Sequence, residues 1–198
     1  YRPDADKKVL EAQQQYVQKI GDECAKYDIL FLFELLVYPL SKDLYQTKEY
    51  VEMQNKKTDH VLESVREFSN EKYGVDVFKL ESPVNVNKIA DSDLNAFKEM
   101  GNIAGRPWVM LSAGAGKEEF KNVLKLAFKA GCSGFLAGRA IWLDAFLHYP
   151  NWDKIQTQLE SSAKDYLFEI GEIADQTALS WNKHGFYGKD GSQFLYNN

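Results

Sequence analysis

Cysteine is scarce in this sequence. There are two, Cys24 and Cys132, far apart and each among apolar or small residues. No metal-ligand spacing involves them, and the pair suits buried, reduced thiols of a cytosolic protein. Histidine is scarcer than chance pairing needs: His60, His148 and His184 are scattered, and none forms an HxxxH or HxH pair. Long hydrophobic runs are missing too. The longest, Ile29 to Leu36, is interrupted by Glu34 and falls well short of the roughly 18 residues a membrane span needs. The charged stretch Tyr1-Arg2-Pro3-Asp4 followed by an amphipathic pattern has none of the marks of a secretory leader. Positive charge is in deficit, with a net charge of −5, which disfavours nucleic acid as a partner because phosphate backbones need a positive face. A small phosphorylated ligand remains compatible, since a local cluster suffices for it. The expectation is a cytoplasmic protein with a small-molecule partner, no nucleic acid and no membrane.

What is present is the balance of a globular domain, 44% hydrophobic and 27% charged. The periodicities alternate along the chain. Asp6 to Lys26 reads as a helix, with Val9, Tyr16, Val17, Ile20 and Cys24 at three- and four-residue steps and Asp4 or Asp6 as its cap. Ile29 to Val37 reads as a strand buried on both faces. A loop through Pro39, Ser41, Lys42 and Asp43 follows it. Thr58 to Tyr73 is a helix stopped by Gly74, with Val61, Leu62, Val65 and Phe68 inward and His60 on the solvated side. The Lys/Glu mixture of residues 48–72 reads as a solvated helix face.

Val75 to Glu81 is the second strand, Asp91 to Met100 a shorter helix, and Pro107 to Ser112 the third strand. Glu118 to Lys129 is a helix closed by Gly131, and Gly134 to Gly138 is the fourth strand, running directly into Arg139–Trp142. A long helix spans roughly Trp152 to Trp181, and the tail from His184 is rich in Gly, Asn and aromatics. The tryptophans are expected to pack rather than to stack on a ligand. Strand and helix alternate, which means parallel strands joined by crossover helices. The fold class is therefore α/β, with residues 1–182 as one partial barrel domain and 183–198 as an irregular tail. A closed (β/α)8 barrel takes about 250 residues and eight strands. Four are read here, so the simplest expectation is that further residues before Tyr1 supply four more.

In parallel α/β folds the chemistry sits at the carboxyl ends of the strands. Glu34 lies on the first strand, Lys79 and Glu81 on the second, Ser112 ends the third, and Gly138-Arg139 ends the fourth. Lys79, inside Val77-Phe78-Lys79-Leu80, is placed where an ammonium loses hydration and a neutral amine is favoured, as a Schiff-base nucleophile requires. The competing reading is a lysine paired with Glu81 or reaching solvent from a strand end. Glu34 between Phe33 and Leu35 is a proton shuttle or one half of a structural ion pair. Glu81 shares a face with Lys79, as a second acid/base or as its charge partner. Ser112-Ala113-Gly114 and Gly138-Arg139 suit anion cradles, because glycines let backbone N–H groups approach an anion and a following helix adds positive potential. Arg2 and Tyr38, both after strands, are within range of a ligand at that end.

Phe33-Glu34, the run Gly74-Val75-Asp76-Val77-Phe78-Lys79-Leu80-Glu81-Ser82-Pro83-Val84-Asn85, Leu111-Ser112-Ala113-Gly114 and Gly134-Phe135-Leu136-Ala137-Gly138-Arg139-Ala140-Ile141-Trp142 resemble the tagatose 1,6-bisphosphate aldolase family, which includes bacterial sulfofructose-1-phosphate aldolases. The resemblance runs from Tyr1 to about Trp142. It implies the C-terminal half, strands 5–8, of a (β/α)8 barrel. It further implies metal-free, cofactor-free class I cleavage of a ketose phosphate to dihydroxyacetone phosphate and an aldehyde. On that resemblance Lys79 is the Schiff-base lysine and Glu34 the catalytic glutamate, and Ser112, Gly114, Gly138 and Arg139 line the anion-binding end. The substrate expected is a ketose 1,6-bisphosphate such as tagatose 1,6-bisphosphate, and a homo-oligomer is expected of the full-length protein. Leu35 departs from the proline that many members carry after the glutamate, and the family's further acid and lysine on the first four strands have no counterpart here. Tyr1–Asp6 reads closer to the sulfosugar branch, which makes 6-deoxy-6-sulfofructose 1-phosphate the alternative substrate. Two rival readings are a non-catalytic sugar-phosphate sensor on the same scaffold and a half-domain whose sheet edge at residues 29–37 pairs with another chain.

Overall fold

The computed structural model describes residues 1–40, 43 and 58–188. Helix α1 (Lys7–Lys26) opens on Asp6, whose carboxylate accepts the Lys8 N–H at 2.9 Å. Asp6 rather than Asp4 is thus the cap; Asp4 turns instead to Arg2. The sheet strands are β1 (Leu32–Leu35), β2 (Val77–Leu80), β3 (Trp108–Leu111) and β4 (Phe135–Leu136). They are parallel and lie in the order β1-β2-β3-β4. The crossovers contain α2 (Thr58–Phe68), α3 (Leu94–Ala104) and α4 (Lys117–Lys129). Each strand is shorter than its apolar run, because the ladder ends where the neighbouring chain turns away while burial continues: Phe31, Val37 and Val75 are buried just outside their strands.

Side chains alternate across the sheet. Phe78, Leu80, Trp108 and Met110 point to the helices and are almost completely buried, with Phe68, Phe97, Phe120 and Leu124 closing the layer over them. Burying each such side chain contributes about 1.5–3 kcal/mol. The other face is different. Leu32 and Leu136 are exposed, and Val77 and Val109 are half-buried. The expectation of a strand covered on both faces is therefore corrected for β1: among the described residues helices cover one face. The reason is geometric, since the inner wall of a barrel is buried by the strands opposite, and a four-stranded sheet does not close on itself. The stripe of α1 shows the same thing at the β1 edge, where Val17 is buried but Val9 and Tyr16 are exposed.

After β4 the chain enters α5 (Arg139–Phe146), then α6 (Trp152–Gln158), a π-helical turn (Leu159–Ala163) and α7 (Lys164–Thr177). The expected single helix to Trp181 is thus broken and ends sooner. Ser161 and Ser162 donate to the carbonyls of Thr157 and Gln158, the side-chain competition that disturbs an α-ladder. Beyond Thr177, the Leu179 N–H bonds to the Cys132 carbonyl at 3.0 Å, which draws the chain out of the helix and back to the start of β4. Buried Tyr166 and Ile170 hold α7 to the rest of the fold, and the Tyr166 hydroxyl donates to the Lys117 carbonyl. Of the tryptophans Trp108 is buried in the core; Trp142 and Trp152 are exposed but pack edge-on against Phe146 and Tyr149, and Trp181 is exposed. No described helix is long and apolar enough to cross a membrane. Ser41 and Lys42 of the expected loop, residues 48–57 of the expected charged face and residues 189–198 of the expected tail lie outside the described residues.

Candidate active site

Alternation on two adjacent strands decides where the charged groups point. Phe33 packs edge-on against Phe68 with ring centroids 5.0 Å apart, and Leu35 is buried, so Glu34 between them projects to the open face of the sheet. Phe78 and Leu80 are buried against the helices, so Lys79 between them projects to the same face. The parallel register then sets Glu34 directly beside Lys79. Lys79 Nζ donates to Glu34 Oε2 at 2.6 Å, with side chains 21% and 36% exposed. These two candidates, read from different strands, form one pair that a ligand can reach from the open face.

Glu81 takes another course. It is 1% exposed, and its Oε1 accepts the Val37 N–H at 2.6 Å. The carboxylate holds the chain leaving β1, while the ion pair of Lys79 is with Glu34.

Ser112, buried, directly follows β3 and begins a tight turn in which the Ala115 N–H returns to the Ser112 carbonyl at 2.8 Å. Ala113 and Gly114 both sit at positive φ, 46° and 84°. Two successive left-handed residues turn backbone N–H groups toward one side, the geometry of an anion concavity, and glycine adopts the second without strain. Helix α4 starts directly afterwards, with Gly116 as a cap that offers no side chain. Glu119 folds back over this glycine, so that a Cβ at Gly116 would lie 2.4 Å from its carboxylate oxygen. On β4 the corresponding exit is Gly138, the cap of α5, whose carbonyl accepts the N–H groups of Ile141 and Trp142. Arg139 is the first residue of that helix and is half-buried. An ion pair of 3.0 Å joins Lys117, the first residue of α4, to Asp144 in the last turn of α5.

Arg2 is 4% exposed, and its guanidinium is engaged by Asp4 at 2.6 Å, by Asp43 at 2.7 Å and by the Tyr38 carbonyl at 3.1 Å. Burial opposes its charge, but the hydrogen bonds it donates to Asp43 and Asp4 more than offset this and raise its pKa. Asp43 is held below the usual carboxylate range, by Arg2 first and by the Leu40 N–H second. Arg2 thus staples the segment after β1 to the segment before α1. His60, read as solvated, is in fact buried, with Nε2 3.9 Å from Asp4. The available signal was Ser64 four residues on: a small residue beside His60 widens the buried stripe of α2, and its hydroxyl donates to the His60 carbonyl at 2.6 Å. Tyr38 lines an apolar cavity of about 710 Å³ between α1 and β1, shared with Val9, Tyr16 and Phe33, which reaches the ion pair through Glu34.

The profile of the DeoC/LacD family aldolases matches residues 1–144. Tagatose 1,6-diphosphate aldolase 1 of Enterococcus faecalis is 32% identical over 194 residues, covering 91% of this chain and 59% of that protein. Tagatose 1,6-diphosphate aldolase 1 of Streptococcus mutans is 29% identical over 198 residues, covering 92% and 60%. The chain therefore spans about three-fifths of the length of these curated relatives. A solved structure of a Schiff-base-forming fructose-1,6-bisphosphate aldolase superposes with a TM-score of 0.53 at 17% identity, over 81% of this chain and 51% of that one. The four βα units correspond to the C-terminal half of a (β/α)8 barrel, and the chain belongs to the DeoC/LacD family of aldolases.

Proposed function

We propose that this chain supplies the Schiff-base centre of a class I aldolase acting on a ketose 1,6-bisphosphate such as tagatose 1,6-bisphosphate. One observation carries the reading: the 2.6 Å contact between Lys79 Nζ and Glu34 Oε2 on adjacent strands, on the face that a ligand can reach. The names of the relatives support the substrate class.

Glu34 takes a proton from the Lys79 ammonium, and the free amine adds to the ketone carbonyl. Glu34 returns that proton to the oxygen to give the carbinolamine, then carries a second proton from the nitrogen to the same oxygen, which leaves as water as the iminium forms. The iminium then draws electrons from the C3–C4 bond as the C4 hydroxyl gives its proton to the Glu34 carboxylate and C4 departs as the aldehyde. The enamine is protonated at C3, and water hydrolyses the resulting iminium to release dihydroxyacetone phosphate and the amine. The Ser112–Gly116 turn and Gly138-Arg139 hold a terminal anion, with the positive ends of α4 and α5 adding potential.

The sulfosugar alternative rested on the Tyr1–Asp6 stretch, and the arginine of that stretch is engaged with Asp4 and Asp43. Bisphosphate cleavage is therefore the reading that we favour, in a cytoplasmic homo-oligomer. Borohydride reduction of the full chain in the presence of tagatose 1,6-bisphosphate, followed by peptide mapping, is expected to place the adduct on Lys79. Labelling of another lysine, or none, overturns the proposal.

A further inference from the structure

Glu81 is not a surface charge. It is 1% exposed, immediately after the last residue of β2, and binds the backbone of a different strand. The parallel ladder between β1 and β2 ends at Leu35 and Leu80. Val37, two residues past that end and itself buried, has its N–H beyond the reach of the ladder. The Glu81 Oε1 meets that N–H at 2.6 Å and so continues the connection between the two strand exits after the backbone pairing has stopped. A buried carboxylate is costly unless hydrogen-bonded, and this one is bonded to backbone, which cannot change rotamer. The atoms linked are three residues from Glu34 and two from Lys79.

We propose that Glu81 is a positioning residue: by holding the Val37 N–H it clamps the carboxyl ends of β1 and β2 together and sets the approach of Glu34 to Lys79. The proposal rests on the aldolase reading of that pair. It excludes the alternative in which Glu81 is itself a second proton donor or acceptor. The clamp needs an acceptor oxygen at full side-chain length; proton transfer needs an ionisable carboxyl. Glutamine and aspartate each keep one of these and lose the other.

The test measures kcat, KM and the rate of borohydride trapping for the full chain and for E81Q, E81D and E81A. Glu81→Gln keeps the acceptor and retains most of the rate. Glu81→Asp keeps the charge but is a methylene too short to reach Val37, and Glu81→Ala removes both. Loss of the clamp is expected to lower kcat and trapping by roughly 10²-fold, the scale on which about an ångström of misplacement acts, while KM changes far less. If Glu81→Ala does not fold, the comparison of Gln with Asp decides alone. A rate for Asp equal to or above that for Gln overturns the clamp in favour of acid/base chemistry. Three variants all as fast as wild type overturn it as well. Absence of trapping at Lys79 in the wild-type chain instead removes the aldolase reading beneath it, so the two failures are distinct.

Discussion

Gly21 of α1 lies against the carbonyl of Tyr73: a Cβ built on Gly21 would come within 2.0 Å of the Tyr73 oxygen. Helix α1 therefore crosses the short 3-10 turn Glu71–Tyr73 with backbone in contact with backbone, and no side chain fits between them. Gly21→Ala is expected to destabilise by about 1–3 kcal/mol, the cost of overpacking, despite the better helix propensity of alanine. Gly171 in α7 is the internal control, since a Cβ there meets nothing within 4 Å. Gly171→Ala is expected to stabilise by about 1 kcal/mol. Urea unfolding of the two variants checks the opposite signs.

The Lys79–Glu34 pair separates chemistry from stability. Its side chains are 21% and 36% exposed, so water competes for both charges. Lys79→Ala is expected to abolish trapping and turnover while costing only about 0–1 kcal/mol, the ordinary worth of a solvent-screened pair. Glu34→Gln is expected to slow turnover by about 10²–10⁴-fold, as for loss of a general acid/base. Paired denaturation curves and single-turnover rates test this. A large stability loss in Lys79→Ala would mean a structural ion pair.

Arg2 and Asp43 make stability depend on pH in the acid range. The folded protein holds Asp43 below its ordinary value of 3.8, mainly through Arg2. Between the depressed folded value and the unfolded one, the unfolded chain binds more protons, so stability rises with pH across that window. The contribution is fully present above the unfolded value and is lost as pH falls through the folded one. Asp43→Asn is accordingly expected to be less stable than wild type at neutral pH, with the difference closing below pH 3.8. Melting temperatures measured from neutral pH into the acid range are the check; a difference that widens on acidification contradicts the assignment.

Cys132 is 0% exposed and bonds through sulfur to the Gly134 carbonyl. Burial pushes its thiol up to about 12. The thiolate is the reactive form, so Cys132 is expected to resist thiol reagents at pH 8 in the folded protein and to react on unfolding. Timed alkylation with and without denaturant, followed by mass spectrometry, measures this.

Elements and faces were legible because their causes are local. Apolar runs of strand length, helical spacing in α2, α3 and α4, and the parity that puts Lys79 opposite Phe78 and Leu80 are all written in neighbouring residues. The two charged candidates on β1 and β2 were legible too, as ionisable groups in apolar runs. The amino-acid order could not say that Glu34 and Lys79 are side by side, because register is set by pairing between strands 45 residues apart. For Glu81, pleat parity left acid/base and charge-partner readings open, and only the packed structure sends its carboxylate to the Val37 N–H. Arg2 resembled a ligand contact until Asp4 and Asp43 closed on it. His60 resembled a solvated side chain until α2 docked beside Asp4. What the chain decides alone is which groups exist and, within a regular strand such as β2, which way each one points. Which of them meet is decided by long-range packing, since hydrogen bonds and ion pairs act over a few ångströms and take whatever partner the fold delivers.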